Sequence, residues 1–587
     1  MIDTESSSNG TESRGGDFAT NSRLMLLSGF AIVIGGLSTL SAWVLLAAIR
    51  FFTNLFYFHT VSTAATSPAD NRLGWLAILV PAVGGLIVGL MARFGTEKIR
   101  GHGIPEAIEA ILFGKSRMSP KVAILKPLSS GIVIGSGGPF GAEGPIIMTG
   151  GAAASLLAQA FHLTAAERKS LLVAGACAGM TAVFGTPLAA VLLAVELLLF
   201  ELRPRSLLPV GLSCAVAGFL RPLWAGSGPL FPLETAEPSS IAMLSCVVAG
   251  LASGAVSASM TRMLYFVEDF FSHLRIHWMW WPALGGLVVG IGGYFEPRAL
   301  GVGYDVIGDL LQNHLVLSAA LSLLVVKTLI WAVALGSGTS GGVLAPLLMI
   351  GAGLGSVLGA WLPGGSPELW ALVCMAAILG GTMRAPLTAI VFAFGLTHDV
   401  NAFLPTILGC VVAYGFTVIV MPRSILTEKI ARRGRHVFRE YGVDPLERYF
   451  VDEVMTREVA TINGTESLRE VLQTHFGVEQ KFRAYPVVLD GKLLGVLDRT
   501  LINRLKDVDP GKPLAELLAG QAPNVFVLPG DTCREVSWRL AADGLERLPV
   551  VDNATSRRVV GIVSRSDLLK PSRVLHEEEM QRESVFG

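Results

Sequence analysis

Up to about residue 440 the apolar positions neither alternate nor recur every third or fourth residue; they run together. LMLLSGFAIVIGGLSTLSAWVLLAAI (24–49), LGWLAILVPAVGGLIVGLMA (73–92) and, at the far end, LPTILGCVVAYGFTVIVM (404–421) are examples. About 20 apolar residues suffice for a helix to cross the hydrocarbon layer, so the pattern predicts a multi-pass membrane protein built of helices. Many other runs are shorter, or broken by Gly and Pro. Interrupted helices of that kind are expected where backbone lines a polar site inside the bilayer. After residue 440 the runs stop, and short apolar segments alternate with charged helical stretches. That change predicts a separate soluble α/β region.

Two stretches of the membrane part occur twice. GSGGPFGAEGP from Gly135 aligns without gaps to GSGTSGGVLAP from Gly336, and TPLAAVLLAVEL from Thr186 aligns with APLTAIVFAFGL from Ala385. Nearly equal offsets imply a duplicated unit, with halves at about 23–225 and 240–435. Each glycine-rich stretch leads through Pro into an apolar helix. Glycine lets backbone N–H groups come close to a ligand, and a helix N-terminus offers unpaired donors and partial positive charge. Two such ends converging in mid-membrane can hold an anion and still release it, which a buried Lys or Arg would resist. Glu143 belongs to one half only, standing opposite Leu344. A carboxylate there can occupy the anion site in competition with the ion and leave it on taking a proton, so Glu143 reads as gate and proton carrier. The plainer reading is a buried acid satisfied by helix-end amides.

Composition agrees with the pattern: 51% of residues are hydrophobic, 16% are charged and the mean hydropathy is +0.57. Forty-six Lys and Arg balance forty-six Asp and Glu, which gives no case for a nucleic-acid partner. Five of the six cysteines sit in apolar runs with no metal-ligand spacing, and all six are expected to be small packing residues. No HExxH or phosphate-binding GxxxxGK[ST] motif argues for an enzyme. Basic residues cluster after the second run (Arg93, Lys98, Arg100, Lys115, Arg117, Lys121) and in EKIARRGRH after the last, so both places are expected on the cytoplasmic side. Residues 1–22 are polar, lack the pattern of a signal peptide, and are expected to form a disordered cytoplasmic arm.

These motifs resemble the CLC family of chloride channels and chloride/proton antiporters. GAEGP is similar to the family's G-[RK]-E-G-P, GHGIPE (101–106) to G-S-G-I-P-E, and GGVLAP (341–346) to G-x-F-x-P; the likeness covers about residues 24–435. It implies an all-α polytopic membrane domain with an inverted internal repeat (23–440) and a homodimer with one pathway per subunit. It also implies both termini in the cytoplasm of a protein of the cell inner membrane, no required cofactor, and chloride as the default cargo. Glu143 falls on the gating glutamate. The anion site falls on His102, Gly103 and Ile104, on Gly141, Ala142 and Gly144, and on Val343, Leu344 and Leu426. Three of these depart from the family. His102 replaces a Ser that donates a hydroxyl, and its imidazole either donates one N–H to the anion or turns away to bond backbone. Leu344 replaces Phe, and Leu426, placed by aligning PRSILTEKIARRG, replaces Tyr. In antiporters a proton-handling acid follows the position of Glu196; here that place holds Leu197, and Glu196 reads as a structural, hydrogen-bonded acid. Chloride/proton exchange, a loosely coupled or channel-like conductance, and transport of fluoride or nitrate remain open. A cation path would need acidic rings or carbonyl ends, not glycine-rich helix starts.

Residues 451–507 and 514–571 follow one plan: a lead-in segment, a helix, a PVV strand, then a Gly-apolar-apolar strand running into a helix. The pair resembles tandem CBS domains, a soluble α/β module that can bind adenine nucleotides, followed by a tail, 572–587. Ser564 and Asp567 match the phosphate and ribose positions of that family, whereas the first copy has Asp498 and Leu501. One nucleotide per pair, or a ligand-free dimer-stabilising module, are the two expectations.

Overall fold

The computed structural model describes residues 23–437, 445–477, 480, 482–505, 508–519, 526–573 and 582–583. The segment 1–22, expected above to be a disordered arm, lies outside them, as does most of the tail. The chain divides into one unit running to Arg435, joined by residues from Gln581 onward, and a second unit, His436–Met580.

Setting single-turn elements aside, the first half of the membrane unit comprises α1 (Arg23–Phe58), α2 (Leu79–Phe94), α3 (Ile104–Leu112), α4 (Pro120–Gly135), α5 (Glu143–Gln159), α6 (Ala165–Phe184), α7 (Pro187–Leu193) and α8 (Pro204–Leu220). The second half repeats the series as α9 (Ser240–Ser272), α10 (Trp281–Phe295), α11 (Tyr304–Leu311), α12 (Leu317–Gly336), α13 (Leu344–Leu358), α14 (Pro367–Met383), α15 (Pro386–Thr397) and α16 (Phe403–Val420); α17 (Ile425–Arg432) follows. Among the described residues six helical stretches are long and apolar enough to cross a membrane, from Arg23–Phe58 to Phe403–Arg432. Others fall short. With 15 residues, α13 covers about 22 Å at 1.5 Å per residue, less than the roughly 30 Å of hydrocarbon, so it cannot reach both edges of the layer. Nearly every residue of α5, α6, α13 and α14 is buried, whereas α1 exposes Met25, Ile32, Val33 and Trp43, a face suited to lipid. All six cysteines are buried and unpaired.

The repeat can be followed atom by atom. Gly85 of α2 lies against the Pro282 carbonyl and Gly286 of α10 against the Pro81 carbonyl; a Cβ on either would sit 2.2 Å from that oxygen. Helices α6 and α14 both end in a left-handed residue, Gly185 (φ 73°) and Arg384 (φ 55°), before Thr186 (ψ 71°) and Ala385 (ψ 72°) start the next helix. Gly141 and Gly342 hold the same place in the two glycine motifs, and they bond to each other. The Gly141 amide donates to the Gly342 carbonyl at 3.3 Å and the Gly342 amide to the Gly141 carbonyl at 3.0 Å, as an antiparallel bridge. Like atoms exchanging like bonds place a local two-fold axis through the pair, and the inverted repeat closes around it.

The second unit contains two small sheets. In one, β1 (Ile462–Asn463) pairs parallel with β2 (Ala484–Leu489), which pairs antiparallel with β3 (Lys492–Asp498); in the other, β4 (Arg547–Val551) pairs antiparallel with β5 (Val559–Ser564). Both hairpins shift register at the same point, Val487/Val488 and Val550/Val551. The lead-in segments, read along the chain as belonging each to the module that follows it, exchange in space. Val451, Val454 and Met455 pack with Val536, Leu548 and Val563, while Leu514, Leu517 and Leu518 pack with Val471, Val487 and Leu497. Backbone pairing is the reason for the first: Thr456 exchanges two 2.9 Å hydrogen bonds with Ile562 of β5.

Candidate anion site

The centre is made by two chain reversals. After α4 the chain turns through Gly137 (φ 97°), and after α12 through Gly338 (φ 80°), conformations that favour glycine. It then enters α5 and α13, capped by Ala142 and Val343, with Pro145 and Pro346 each third in its helix. Glu143 and Leu344 are the first helical residues, both fully buried.

The Glu143 carboxylate reaches across the axis. Its Oε1 accepts the Ala345 amide, in the first turn of α13, at 3.1 Å. Two glycines make the space for it: a Cβ at Gly141 would lie 1.8 Å from Oε2, and one at Gly342 would lie 2.5 Å away. Oε2 is buried without a hydrogen-bond partner. The Tyr304 hydroxyl, at the start of α11, faces this carboxylate outside hydrogen-bonding geometry and is also buried without a partner.

On the other side of α5, Gly144 presses on the backbone of His102; a Cβ there would be 1.8 Å from the His102 carbonyl oxygen and 3.3 Å from the Gly342 Cα. Gly103 (φ 88°) caps α3, and its amide, expected to face an anion, donates instead to Glu106 Oε2 at 3.0 Å. The capping box wins because a carboxylate three residues into a helix reaches the cap amide without displacing anything. Ile104 and Leu426 are wholly buried, in the first turns of α3 and α17. Both ring nitrogens of His102 are buried and unpartnered, so the imidazole is not bonded to backbone; around it stand Lys429, Glu106, Lys126 and Arg433. Glu106 pairs with Arg433 at 2.9 Å and with Lys429 at 3.8 Å.

The sequence reading built the cradle from helix ends without fixed cations, and here it needs correcting. Two buried lysines stand behind the loops. Lys126 Nζ donates to the carbonyls of Ile99 and Gly101, both at 2.8 Å, and Lys327 Nζ to those of Ala299 (2.9 Å) and Gly301 (2.8 Å). Lys327 also faces Glu143. Each Nζ is engaged by two backbone carbonyls, so neither lysine is free to close on an ion. Each lysine comes nine residues before its glycine motif, a repeat that was present in the sequence and missed.

Glu196, in the turn that follows α7, reaches the start of α15. Its Oε1 accepts the Leu387 amide at 3.2 Å, and its Oε2 accepts the Thr388 amide (2.7 Å) and hydroxyl (2.6 Å). Helix-end amides thus satisfy both oxygens of this acid. A cavity of about 780 Å³ opens beside Glu106, lined by seven basic side chains (Lys98, Arg100, Arg117, Lys429, Arg432, Arg433, Arg435) against four acidic ones. The two basic clusters, far apart in the sequence, therefore meet at one mouth.

In the second unit Ser564 and Asp567 line a pocket of about 210 Å³ with Thr456, Phe482 and Arg547. Asp498, Leu501 and Arg504 line another of about 220 Å³. Asp567 accepts the Ser564 amide (2.8 Å) and hydroxyl (2.6 Å) and pairs with Lys570 at 2.6 Å. Burial works against its ionisation, yet Lys570 and Ser564 hold the carboxyl below the ordinary carboxylate range.

A helical inverted repeat that brings two helix N-termini to one buried, glycine-lined point defines a class of membrane protein that handles small anions. Residues 84–418 match the family model for voltage gated chloride channels, and residues 451–505 and 519–572 match CBS domains. The chain belongs to the voltage-gated chloride channel family and carries a C-terminal CBS pair. Among known proteins it is similar to the voltage-gated ClC-type chloride channel ClcB of Citrobacter koseri, 30% identical over 377 residues that cover 62% of this chain and 88% of that one. In fold it is similar to a slow cyanobacterial Cl⁻/H⁺ antiporter (TM-score 0.62, 21% identity, 71% of this chain and 99% of that one). It also resembles a eukaryotic CLC transporter (TM-score 0.62, 18% identity, 93% and 99%).

Proposed function

We propose that the membrane unit carries chloride, or a small anion like it, through the point where Gly141, Gly342 and the first turn of α13 converge, and that Glu143 gates that path. The observation that carries this reading is the Ala345 amide held by the Glu143 carboxylate across the axis. An ionised carboxylate has the charge and nearly the size to stand in for an anion there, and protonation would free it. The basic mouth beside Glu106 is the cytoplasmic one, since lysine and arginine accumulate on that side, and it concentrates anions there. The protein works as a homodimer in the cell inner membrane, each subunit with its own path, as the resemblance to the family implies. Membrane potential measurements on proteoliposomes test the cargo: reversal should follow the chloride gradient and ignore potassium and sodium gradients. Reversal that tracks a cation ends the proposal, and a larger conductance for fluoride or nitrate would rename the anion.

A second reading, loosely coupled or channel-like conduction in place of chloride/proton exchange, is favoured by one feature. Glu196 has both oxygens engaged, and Leu197 follows it where a proton-handling acid would be.

The CBS pair regulates through the pocket at Ser564 and Asp567. At about 210 Å³ it is below the roughly 300–1,000 Å³ usual for small-molecule sites, so an adenine nucleotide must open it. With AMP or ATP at about 100 Kd, the CBS unit should gain about 2.7 kcal/mol against unfolding, seen as a rise in its melting temperature. Ser564→Ala with Asp567→Ala should erase the rise; no rise in the unsubstituted protein would leave assembly as the module's role.

A further inference from the structure

We propose that Tyr304 is the working partner of Glu143: its hydroxyl bonds the carboxylate when the acid is seated, and so sets the pH at which the acid leaves the anion site. This rests on the reading of Glu143 as the gate. The first observation is a pair of orphans. Oε2 of Glu143 and the hydroxyl of Tyr304 are both buried, neither has a hydrogen-bond partner, and each faces the other. Buried polar atoms are rarely left unpaired, and two that face each other are satisfied together by a small rotation of the acid.

The second observation is that the position of Tyr304 is built. The loop before α11 turns through Gly301 (φ 64°) and Gly303 (φ 73°), and Lys327 clamps its carbonyls at Ala299 and Gly301. A Cβ at Gly303 would meet the Met349 methyl at 2.1 Å, just as one at Gly103 would meet Met148 at 3.0 Å in the other half. The Tyr304 ring stands edge-on to Phe184 (6.1 Å, 77°), which stands edge-on to Phe392 (4.9 Å), with Phe231 on its other flank at 6.2 Å. Aromatic packing of this kind fixes the ring and aims its polar tip.

The third is the way the two halves differ. The same loop position holds Ile104 in the first half, where nothing could bond a carboxylate, and Tyr304 in the second, where the carboxylate arrives. Acid and hydroxyl come from opposite halves and meet across the axis. The hydroxyls missing at His102 and Leu426 give this one more weight. The other groups acting on the carboxylate are its own backbone amide, the Ala345 amide of α13 and Lys327 of α12, with Asp305 beside Lys327. Neither Lys327 nor Asp305 is altered by the test below.

Chloride efflux from proteoliposomes of the full-length protein, measured between about pH 4 and pH 8, separates the cases. Losing a hydrogen bond to a charged group should move the half-maximal pH of Tyr304→Phe upward by about one unit. Maximal flux and melting temperature should stay the same. Tyr304→Phe in a Glu143→Gln background should match Glu143→Gln alone. Incorporating 3-fluorotyrosine at 304, a stronger donor of almost the same shape, should move the curve downward, and it guards against a folding defect in the Phe variant. If Tyr304→Phe and the fluorinated protein both superpose on the unsubstituted curve while Glu143→Gln flattens it, the Tyr304 proposal is wrong and the gate stands. If Glu143→Gln itself follows the unsubstituted curve, the gate is wrong and this proposal falls with it.

Discussion

Proteoliposomes containing Glu143→Gln should release chloride at a rate that no longer varies with pH, and on the alkaline side of neutrality, where the acid is ionised, that rate should exceed the unsubstituted protein's by about tenfold. The ionised carboxylate accepts the Ala345 amide at 3.1 Å. Such a bond to a charged acceptor contributes about 1.5–3 kcal/mol, against about 0.5–1.5 kcal/mol for the neutral amide of Gln. The difference, about 1.4 kcal/mol, is a factor of ten in how often the site is free for an ion. In the unsubstituted protein efflux should rise as pH falls, because a protonated acid loses the same advantage. Proton movement driven by a chloride gradient should vanish in the Gln variant. Flux that keeps its pH dependence in Glu143→Gln would remove this residue from the gate.

Gly144→Ala should destabilise the protein by about 3 kcal/mol, near the top of the range for overpacking, and abolish flux. The added Cβ would fall 1.8 Å from the His102 carbonyl oxygen and 3.3 Å from the Gly342 Cα. Neither can retreat: the next residue before His102, Gly101, is tied through its amide to Thr339 (3.0 Å) and through its carbonyl to Lys126 (2.8 Å), while Gly342 bonds Gly141. Gly141→Ala provides the contrast. Its Cβ would also fall 1.8 Å from an atom, but that atom is Oε2 of Glu143, the end of a side chain that can swing away. This variant should fold and melt near the unsubstituted temperature, but its Cβ takes the space that carboxylate and anion share, so its flux should fall below that of Glu143→Gln. Equal melting temperatures for the Gly144 and Gly141 variants would show that the contacts around α5 give way more easily than their geometry implies.

Much of the architecture could be read from the letters because it was written twice. The offset between the GSG motifs gave the repeat, and both copies end in the same backbone turns, φ 97° at Gly137 and 80° at Gly338. The basic clusters after the second and last apolar runs were assigned to one side on charge alone, and Lys98, Arg100, Lys429 and Arg433 do line one cavity. What escaped the sequence was whatever depends on a partner far along the chain. A Tyr after G-x-G looks like any aromatic residue until the axis sets it against Glu143. Nothing near Lys126 or Lys327 in the sequence points to their role, since the carbonyls that engage them lie 25 to 28 residues away. The exchange of lead-in segments in the CBS pair was hidden for the same reason: chain order says nothing about which of two similar sheets a one-turn helix will cover.

The most direct test of the claim that Glu143 sits where the anion belongs is anomalous diffraction from crystals of Glu143→Ala grown in bromide. A bromide peak should lie beside the Gly141–Gly342 pair, within hydrogen-bonding reach of the Ala345 amide, where the carboxylate lies in the unsubstituted protein. An empty cradle in a variant that still conducts halide would mean that the ion takes another path and that Glu143 is only a well-satisfied acid.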